Sequence, residues 1–309
     1  MRLVNQQQKS TNMSKVKSFS VGNGDMFYIN HNTDNFTTID CCLSDAVKDD
    51  ILEEIASESS GKGITRFIST HPDEDHIAGL VAYDNQFRIV NFYRVNNETA
   101  KTGVETEDFK RYKSLRADTQ KSFELKKDCT RKWMNESGEG RGSSGLYCLW
   151  PIKDNEKYQE ALKTAAEGGS PNNISPAIEY LTDNFSFLWM GDMETDMQEE
   201  FDSKVTNNHK TIVFAPHHGR KSGHIPSSLM DKLKPKLIVV GEAPSHELDY
   251  YSDYNTITQN SAGDILFETN GEYLDIFISA TDYNKTDGMV QNQDHGYHHG
   301  MKYLGSIKE

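Results

Sequence analysis

The chain has 309 residues, of which 35% are hydrophobic and 26% charged, and its formal net charge is −14. This length is enough for one large α/β domain, or two modest ones, with a buried core. The acidic total excludes a general nucleic-acid coat, whose surface must be basic to neutralise phosphates. It does not exclude an enzyme that acts on phosphodiesters, because bound divalent ions supply local positive charge.

In chain order, the hydrophobic pattern predicts alternating blocks of strands and helices separated by turns. Strands are predicted at residues 15–20, 25–30, 36–40, 64–69, 88–95, 146–150, 177–182, 186–190, 211–215, 237–240, 265–269 and 274–278. Helices are predicted at residues 47–58, 76–83, 156–167, 196–205 and 227–233. Strand blocks early and late in the chain, with helices between and after them, fit an α/β protein with two packed sheets covered by helices.

Composition divides the chain into three parts. We expect residues 1–14 to be a polar arm, 15–282 to be the folded domain, and 283–309 to be a loose, polar, His-rich tail. Within the domain, residues 97–143 are helix-prone and locally basic, which favours an insertion or a lid.

The cysteines and the lengths of the apolar runs indicate where in the cell the protein is expected to lie. Four cysteines are present without a CxxC pair, which indicates reduced thiols rather than a disulfide framework or a thiolate zinc site. No run reaches the roughly 18 apolar residues of a membrane span, and residues 1–15 hold no apolar signal-peptide core. We therefore expect a cytoplasmic protein without a membrane segment.

Four potential metal ligands, His71, Asp73, Asp75 and His76, lie within six residues directly after the strand predicted at 64–69. Burying two carboxylates and two imidazoles together without a cation costs free energy. Alternate residues of an extended loop project to the same side, so His71 and Asp73 can share one ion. Asp75 and His76, at the turn into a helix, can reach a second. The alternative interpretation is a solvated acidic turn.

Residues further along the chain extend this group. Asp192 ends an apolar strand, where its carboxylate either bridges two ions or caps the next helix. His217 and His218 directly follow another strand and its proline, a position typical of ligands. Asp40 closes an early strand and either orients a ligand histidine or serves as a turn residue. His246 follows a further strand and either faces the site or lies on the surface.

These motifs resemble a known series. The residues 71–76, Gly191-Asp192 and 217–219, in that order after Ile39-Asp40, look like the motifs of metallo-β-lactamase-fold hydrolases. The resemblance implies the αββα sandwich of that fold, with two mixed sheets flanked by helices. It covers roughly residues 15–280.

The closer resemblance is to the hydrolase domain of ComEC-type DNA-internalisation competence proteins. The first turn of that domain is similar to residues 21–25, and its paired-asparagine and serine strand is similar to residues 172–175. Asp73 stands where the wider superfamily commonly has histidine, and no histidine matches the ligand usually found before Gly191. The membrane channel of competence proteins is absent, so a transport role does not carry over.

The motifs lead to an expected ligand set for one or two divalent ions, Zn²⁺ or Mn²⁺, with Mg²⁺ as a further option. We expect His71, Asp73 and Asp192 to hold one ion. Asp75, His76 and Asp192, with His217 or His218, hold the other. A divalent ion lowers the pKa of its bound water to about 7, which supplies hydroxide for hydrolysis.

Other residues receive supporting roles. Asp75, His218 and Asn173 are the candidate catalytic residues, with His218 either a ligand or the group that protonates the leaving group. The remaining candidates contact the substrate or orient the ligands: Asp25, Asp40, Ser175 and His246.

The leading function hypothesis is a phosphodiesterase or nuclease acting on nucleic acid or another phosphodiester. The basic residues of 97–143 suit phosphate contacts, although acids in the same segment favour a solvated amphipathic helix. Two alternatives stay open. One is a hydrolase of a small phosphoester or lactone, and the other is a non-catalytic effector module gated by a partner protein encoded alongside.

Overall fold

The computed structural model describes residues 13–206, 208–244, 250–292, 297–298 and 300–309. These residues form a mixed α/β architecture with two mixed sheets and eight α-helices. Within the described ranges, no helix combines the length and the apolar character needed to cross a bilayer.

The strands are short and spread along the whole chain. In order they are β1 (Lys15–Ser18), β2 (Phe27–Asn30), β3 (Asn35–Ile39), β4 (Cys41–Cys42), β5 (Ile64–Ser69), β6 (Phe92–Arg94), β7 (Ser122–Glu124), β8 (Leu146–Trp150), β9 (Ala177–Leu181), β10 (Ser186–Trp189), β11 (Ile212–Phe214), β12 (Leu237–Val240), β13 (Thr256–Thr258), β14 (Ile265–Asn270), β15 (Tyr273–Ile278), β16 (Tyr297–His298) and β17 (Met301–Lys308). The first sheet has the order β16-β17-β15-β14-β1-β2-β3-β5-β6-β7, and the second has the order β13-β12-β11-β10-β9-β8.

The helices lie between the strands. They are α1 (Lys48–Glu58), α2 (Glu74–Ile77), α3 (Leu80–Phe87), α4 (Glu107–Ala117), α5 (Glu156–Ala166), α6 (Thr195–Asp202), α7 (Ser227–Leu233) and α8 (Gln259–Ala262). The single helix predicted at 76–83 is instead divided into α2 and α3. Gly79, at φ 83°, takes a left-handed conformation between them that interrupts the helix.

Aromatic side chains from the two sheets meet in one core. Phe27 of β2 lies 4.9 Å from Phe214 of β11 and 6.0 Å from Trp189 of β10, between ring centroids. Phe187 of β10 packs edge-on against Phe267 of β14 at 5.8 Å. The two sheets are therefore packed face to face as a sandwich.

A second core covers the other face of the first sheet. Phe36 and Phe67 of that sheet share this core with Ile55 of α1, Tyr83 of α3 and Phe109 of α4. Helices thus lie on the outside of the first sheet, as the α/β prediction requires.

The parallel strands position the polar residues. β3 and β5 are parallel in the first sheet, and β10 and β11 are parallel in the second. Asp40 follows β3, the loop 70–73 follows β5, Asp192 follows β10, and His217 follows β11. Since the carboxyl ends of parallel strands lie at one edge of a sheet, the fold delivers all four to one region.

The tail expected at 283–309 differs in the structure. Met301–Lys308 forms β17 and pairs with β15 in the first sheet, with Leu304 and Ile307 buried. A register shift beside Ile276 breaks the regular alternation of inward and outward side chains, which hid this strand from the periodicity argument. The expectation of a loose tail is therefore wrong for residues 301–308.

The segment 97–143 packs into the fold. Its helix prediction is confirmed by α4, and it also contributes the edge strand β7. Tyr112 of α4 is buried in the outer core, whereas Met134 is buried in the core between the sheets. An insertion that only covered the domain as a lid would not supply residues to both cores.

The expected arm at 1–14 lies outside the described residues up to position 12. Ser14 is described and buried, and its backbone N–H donates to Thr269 Oγ1 at 2.9 Å.

Candidate metal centre

The loop after β5 is tied to the end of β3 by Asp40. Its carboxylate accepts hydrogen bonds from the Thr70 backbone N–H at 2.8 Å and from the Thr70 hydroxyl at 2.6 Å. It also accepts one from His76 Nδ1 at 2.9 Å. Asp40 therefore holds both the beginning of the loop and one of its imidazoles.

Four histidines surround the carboxylate of Asp192. His76 Nε2 lies 3.0 Å from Asp192 Oδ1, while His217 Nε2 and His218 Nε2 each lie 3.7 Å from Oδ2. His71 Nε2 lies 3.9 Å from Oδ2. We call these five residues the Asp192 cluster. The structure brings together ligand candidates from three strand ends that are far apart in the sequence.

Each imidazole of the Asp192 cluster is held through its other nitrogen. Asp40 contacts His76 Nδ1, and the Asp25 carboxylate contacts His218 Nδ1 at 3.2 Å. Hydroxyls serve the other two rings: Ser175 Oγ lies 3.3 Å from His71 Nδ1, and Ser222 Oγ lies 2.8 Å from His217 Nδ1. Holding Nδ1 in this way turns Nε2 toward Asp192, as the outer partners of metal-ligating histidines do.

The backbone around Asp192 is unusual on both sides of the cluster. Gly191 has φ 52°, and a Cβ there would lie 2.8 Å from Ser175 Oγ and 2.9 Å from Thr70 Cβ. His217 and His218 have φ 52° and 57°, which is uncommon for residues with a side chain. Strained backbone of this kind persists where the surrounding structure holds it, and it concentrates at functional sites.

The ligand atoms of the cluster satisfy a test for a cation site. Among the described residues, Nε2 of His71, His76 and His218 and Oδ1 of Asp192 are buried without a hydrogen-bond partner. The 3.0 Å separation of His76 Nε2 and Asp192 Oδ1 does not have hydrogen-bond geometry. Buried polar atoms without partners are costly, and a cation among them removes that cost.

A stricter geometric criterion selects an overlapping set. One ligand atom from each of Asp25, His76, Asp192 and His218 lies within 4.8 Å of the others, so these four residues could hold a metal ion. Of these four residues, Asp25 is the one that does not belong to the Asp192 cluster. Its contact with His218 Nδ1 suits an orienting role as well as direct ligation.

Burial and neighbouring charges shift the pKa values of the histidines in different directions. Burial lowers the pKa of His71 well below 6.5, and His76 adds to this effect. Burial also acts to lower the pKa of His76, but the carboxylates of Asp192 and Asp40 outweigh it and raise the pKa well above 6.5. For His218 the carboxylates of Asp25 and Asp192 likewise overcome burial and raise the pKa to about 10.

The carboxylates respond to the same fields. Burial acts to raise the pKa of Asp192, yet His76 and His218 lower it well below 3.8. Burial acts to raise the pKa of Asp75, yet the neighbouring imidazoles of His218 and His76 outweigh it and lower the pKa to about 2. Burial raises the pKa of Asp40 despite its contact with His76.

Asp75 lies at the edge of the cluster. Its Oδ2 is 3.5 Å from His218 Nε2 and accepts a hydrogen bond from Asn23 Nδ2 at 3.4 Å. Asp75 therefore lies beside the ring of His218, which is also a candidate catalytic residue.

Asp73 does not join the Asp192 cluster. Its Oδ1 forms an ion pair with Lys101 Nζ at 2.6 Å, and its side chain is about one-third exposed. The ligand role expected for Asp73 is therefore not reproduced in the structure. The reason is that Lys101, a cation of the 97–143 segment, forms an ion pair with this carboxylate.

Asn173 also differs from its expected catalytic role. Its Oδ1 accepts from the backbone N–H of Glu194 at 2.9 Å, and its Nδ2 donates to Glu194 Oε2 at 3.1 Å. Both ends of the amide are thus used to hold the turn before α6. Ser175, in contrast, contacts His71 and also accepts from the Asp192 backbone N–H at 3.2 Å. His246 lies outside the described residues.

Several residues of the site were not anticipated. Thr70 and Ser222 are hydroxyls that hold imidazole nitrogens, and Asn23 and Lys101 pair with the acidic residues of the loop. Two of them carry a sequence signal, since Thr70 directly precedes His71 and Asn23 lies in the turn 21–25 that resembles the ComEC-type domain. The others come from distant turns that no local spacing relates to the loop.

No protein-family model matches the chain, and no curated protein matches it. The likeness to metallo-β-lactamase-fold hydrolases therefore rests on the motifs of the sequence.

Proposed function

We propose that this protein is a divalent-metal-dependent hydrolase whose substrates are phosphoesters, with phosphodiesters as the leading class. The observation that supports metal dependence is the Asp192 cluster, in which imidazole Nε2 atoms face one carboxylate while their Nδ1 atoms are held. The phosphodiester class rests on the motif resemblance to the ComEC-type hydrolase domain.

We also propose that the sandwich of two sheets is the metallo-β-lactamase fold. Support comes from the ends of the parallel strands β3, β5, β10 and β11, which carry Asp40, the His71 loop, Asp192 and the His217-His218 pair. This is the order in which the motifs occur in that family.

The residues that would hold the ion are His71, His76, His218 and Asp192, with Asp75 and His217 at the edge of the set. Imidazole nitrogens suit Zn²⁺, and the carboxylates keep Mn²⁺ in consideration. When bound, a divalent ion supplies Lewis acidity and makes a nucleophilic water available near neutral pH. Because Asp73 pairs with Lys101, one of the two expected ligand sets is incomplete. This favours a single strong metal site.

The protein's own groups then have separate tasks. With an ion bound, Asp40 and Asp25 would accept hydrogen bonds from the Nδ1–H groups of His76 and His218, so that each Nε2 could present its lone pair. Asp75 Oδ2 faces His218 Nε2 at the partly exposed side of the cluster, where substrate can approach. Burial of His71 and Asp192 to within 2% of full coverage excludes bulk water from the other side.

The experiment that tests this proposal is a hydrolysis panel with purified protein supplied with Zn²⁺ or Mn²⁺. Bis-p-nitrophenyl phosphate, single-stranded DNA, RNA and a lactone are compared for the wild type, His76→Ala and Asp75→Ala. We expect phosphodiester hydrolysis that His76→Ala abolishes and Asp75→Ala weakens. Equal turnover in all three proteins, or no hydrolysis of any substrate, would contradict the proposal. The second result, together with no metal binding, would favour the non-catalytic, partner-gated module.

A specific observation favours the small-molecule version of this activity. Among residues 97–143, eight cations form ion pairs with carboxylates, which leaves this segment poorly suited to run along a nucleic-acid backbone. A cleft of about 610 Å³ adjoins His217 instead. The cleft is open to solvent and has room for a small molecule, so we propose a small phosphoester as the second candidate substrate.

A further inference from the structure

The cleft beside His217 is built from two neighbouring segments. It lies between the beginning of α6 and the turns after β11, and its volume is about 610 Å³. Its lining includes Glu194, Asp196, His217, Arg220, Lys221 and Ser222. His217 belongs to both the cleft and the Asp192 cluster, so a molecule in this cleft lies directly beside the candidate metal centre.

Arg220 is fixed at the edge of this cleft. Its backbone N–H donates to the His217 carbonyl at 3.0 Å, and its Nη2 donates to Asn23 Oδ1. Asn23 in turn donates to Asp75 Oδ2 at 3.4 Å. The guanidinium is therefore connected through one amide to the His71 loop, while its backbone is connected to a cluster histidine.

The guanidinium of Arg220 has unused hydrogen-bonding capacity. Nε is buried and has no hydrogen-bond partner within the described part of the chain. Asn23 occupies only one of the five N–H donors that a guanidinium carries. A buried donor without a partner is costly. Because Arg220 lines the cleft, the guanidinium N–H groups that Asn23 does not occupy can donate to an acceptor that enters it.

The carboxylates that line the same cleft are already hydrogen-bonded. Glu194 Oε2 accepts from Asn173 Nδ2 at 3.1 Å, and Asp196 Oδ1 accepts from the Met197 backbone N–H at 2.8 Å. They are held by their own turn, whereas Arg220 retains donors. In a chain of net charge −14, a retained cationic donor of this kind matters for attracting an anion.

We infer that Arg220 binds a phosphate oxygen of the substrate in this cleft and so selects anionic esters over neutral ones. A guanidinium presents paired N–H groups that match phosphate oxygens better than an ammonium does. This inference rests on the proposed function, since it places the phosphate of that substrate next to His217. Arg220 acts here by binding and not by proton transfer.

The test compares Arg220→Gln and Arg220→Lys with Lys204→Gln, which removes an exposed cation two residues beyond α6. Inorganic phosphate is titrated calorimetrically into chelator-treated and metal-supplied protein. Bis-p-nitrophenyl phosphate and a short single-stranded DNA are then compared by steady-state kinetics. We expect Arg220→Gln to weaken phosphate binding at least tenfold and to raise KM for both substrates more than it lowers kcat. Arg220→Lys should be intermediate and Lys204→Gln unchanged.

Two results would overturn the inference. One is equal phosphate affinity in the wild type and Arg220→Gln, and the other is no phosphate binding by the wild type. Metal content measured on the same samples separates this failure from that of the proposed function. A wild type without metal contradicts the proposed function. Normal metal content with an unchanged KM in Arg220→Gln contradicts only the role of Arg220.

Discussion

Two polar regions of this molecule use their charged side chains in opposite ways. In the Asp192 cluster, Nε2 atoms of three histidines and Oδ1 of Asp192 are buried without hydrogen-bond partners among the described residues. In the segment 97–143, cations are matched with carboxylates nearby, as Lys113 is with Glu105 at 2.6 Å and Arg116 with Glu98 at 2.9 Å. The ligand atoms of the first region have no hydrogen-bond partners among the described residues, whereas the cations of the second region form ion pairs.

The difference indicates which region is built for a ligand. Exposed ion pairs contribute little to stability and are complete without further molecules. Buried ligand atoms without partners are costly, and proteins retain them where an ion or a substrate completes the set. On the proposed function, the basic segment that first suggested phosphate contacts has a mainly structural role, and the ligand-binding residues lie at the strand ends.

The largest effect is expected for Asp192→Asn, which removes the central negative charge of the cluster. Loss of an outer partner of a ligand typically costs 10–100-fold, roughly. Removing the residue shared by four histidines should therefore lower kcat/KM for bis-p-nitrophenyl phosphate by more than about 100-fold. Steady-state kinetics check this, with far-ultraviolet circular dichroism as the control for folding. A loss below tenfold would contradict the central position of Asp192.

A smaller effect is expected for Asp40→Asn. Asparagine tolerates the positive φ of 56° at this position, so the backbone should be preserved. The contact with His76 Nδ1 would lose its charge, and we expect metal affinity to fall roughly 10–100-fold. Competition with a chromophoric chelator measures this. Unchanged affinity would mean that His76 needs no orienting carboxylate.

Metal should also stabilise the fold. A ligand that binds only the native state at about 100 times its Kd adds roughly 2.7 kcal/mol to the free energy of unfolding. Urea unfolding with Zn²⁺, with Mn²⁺ and with a chelator should show this gain for the wild type and not for Asp192→Asn. An equal gain in both proteins would place the stabilising ion elsewhere.

His31 provides a contrast with the clustered histidines, because it is buried and the charged groups that shift its pKa are the cations of Arg66 and Lys62. Burial, assisted by these cations, lowers its pKa well below 6.5. The unfolded chain therefore takes up a proton on acidification that the folded protein does not. The stability that neutral His31 contributes is complete above pH 6.5 and is lost below it.

We expect the unfolding free energy of the wild type relative to His31→Gln to decrease as pH falls below 6.5. The slope should approach, at most, about 1.4 kcal/mol per pH unit. Urea unfolding between pH 5 and pH 8, roughly the range of maximal stability for most proteins, measures the difference. A difference that is independent of pH would show that His31 titrates normally.

The smallest effect is expected in the paired segment. Lys113→Gln removes an ion pair whose lysine side chain is 38% exposed. Such pairs contribute roughly 0–1 kcal/mol, so the free energy of unfolding and the metal content should barely change. Equilibrium unfolding and metal analysis check this. A marked loss of hydrolysis in Lys113→Gln would indicate that the segment 97–143 contacts the substrate.

The residues of the candidate site could be predicted to lie together because each group of them directly follows a strand. The strand predicted at 64–69 agrees with β5, and the loop after it carries His71 and His76 in six residues. Asp192 and the pair His217-His218 follow apolar strands, and strand ends of parallel sheets converge. Local pattern and general topology together were therefore sufficient to predict that these residues lie close together.

The remaining features depend on contacts that no spacing encodes. Asp73 is a residue type that often binds metals, and it lies in the loop that carries His71 and His76. Its carboxylate nevertheless pairs with Lys101, which is 28 residues away in the sequence. Arg220 directly follows the motif at 217–219, but its proposed role depends on the cleft that it lines, which the sequence does not reveal. β17 was missed because a bulge interrupts the alternation that identifies strands.

Metal content after dialysis tests the central claim most directly. Wild type, Asp192→Asn and Lys113→Gln are equilibrated with Zn²⁺ or Mn²⁺, dialysed, and analysed by inductively coupled plasma mass spectrometry. We predict at least one ion per chain in the wild type and in Lys113→Gln, and a loss of that ion in Asp192→Asn. Equal metal content in all three proteins, or none in the wild type, would contradict the assignment of the Asp192 cluster as a metal centre.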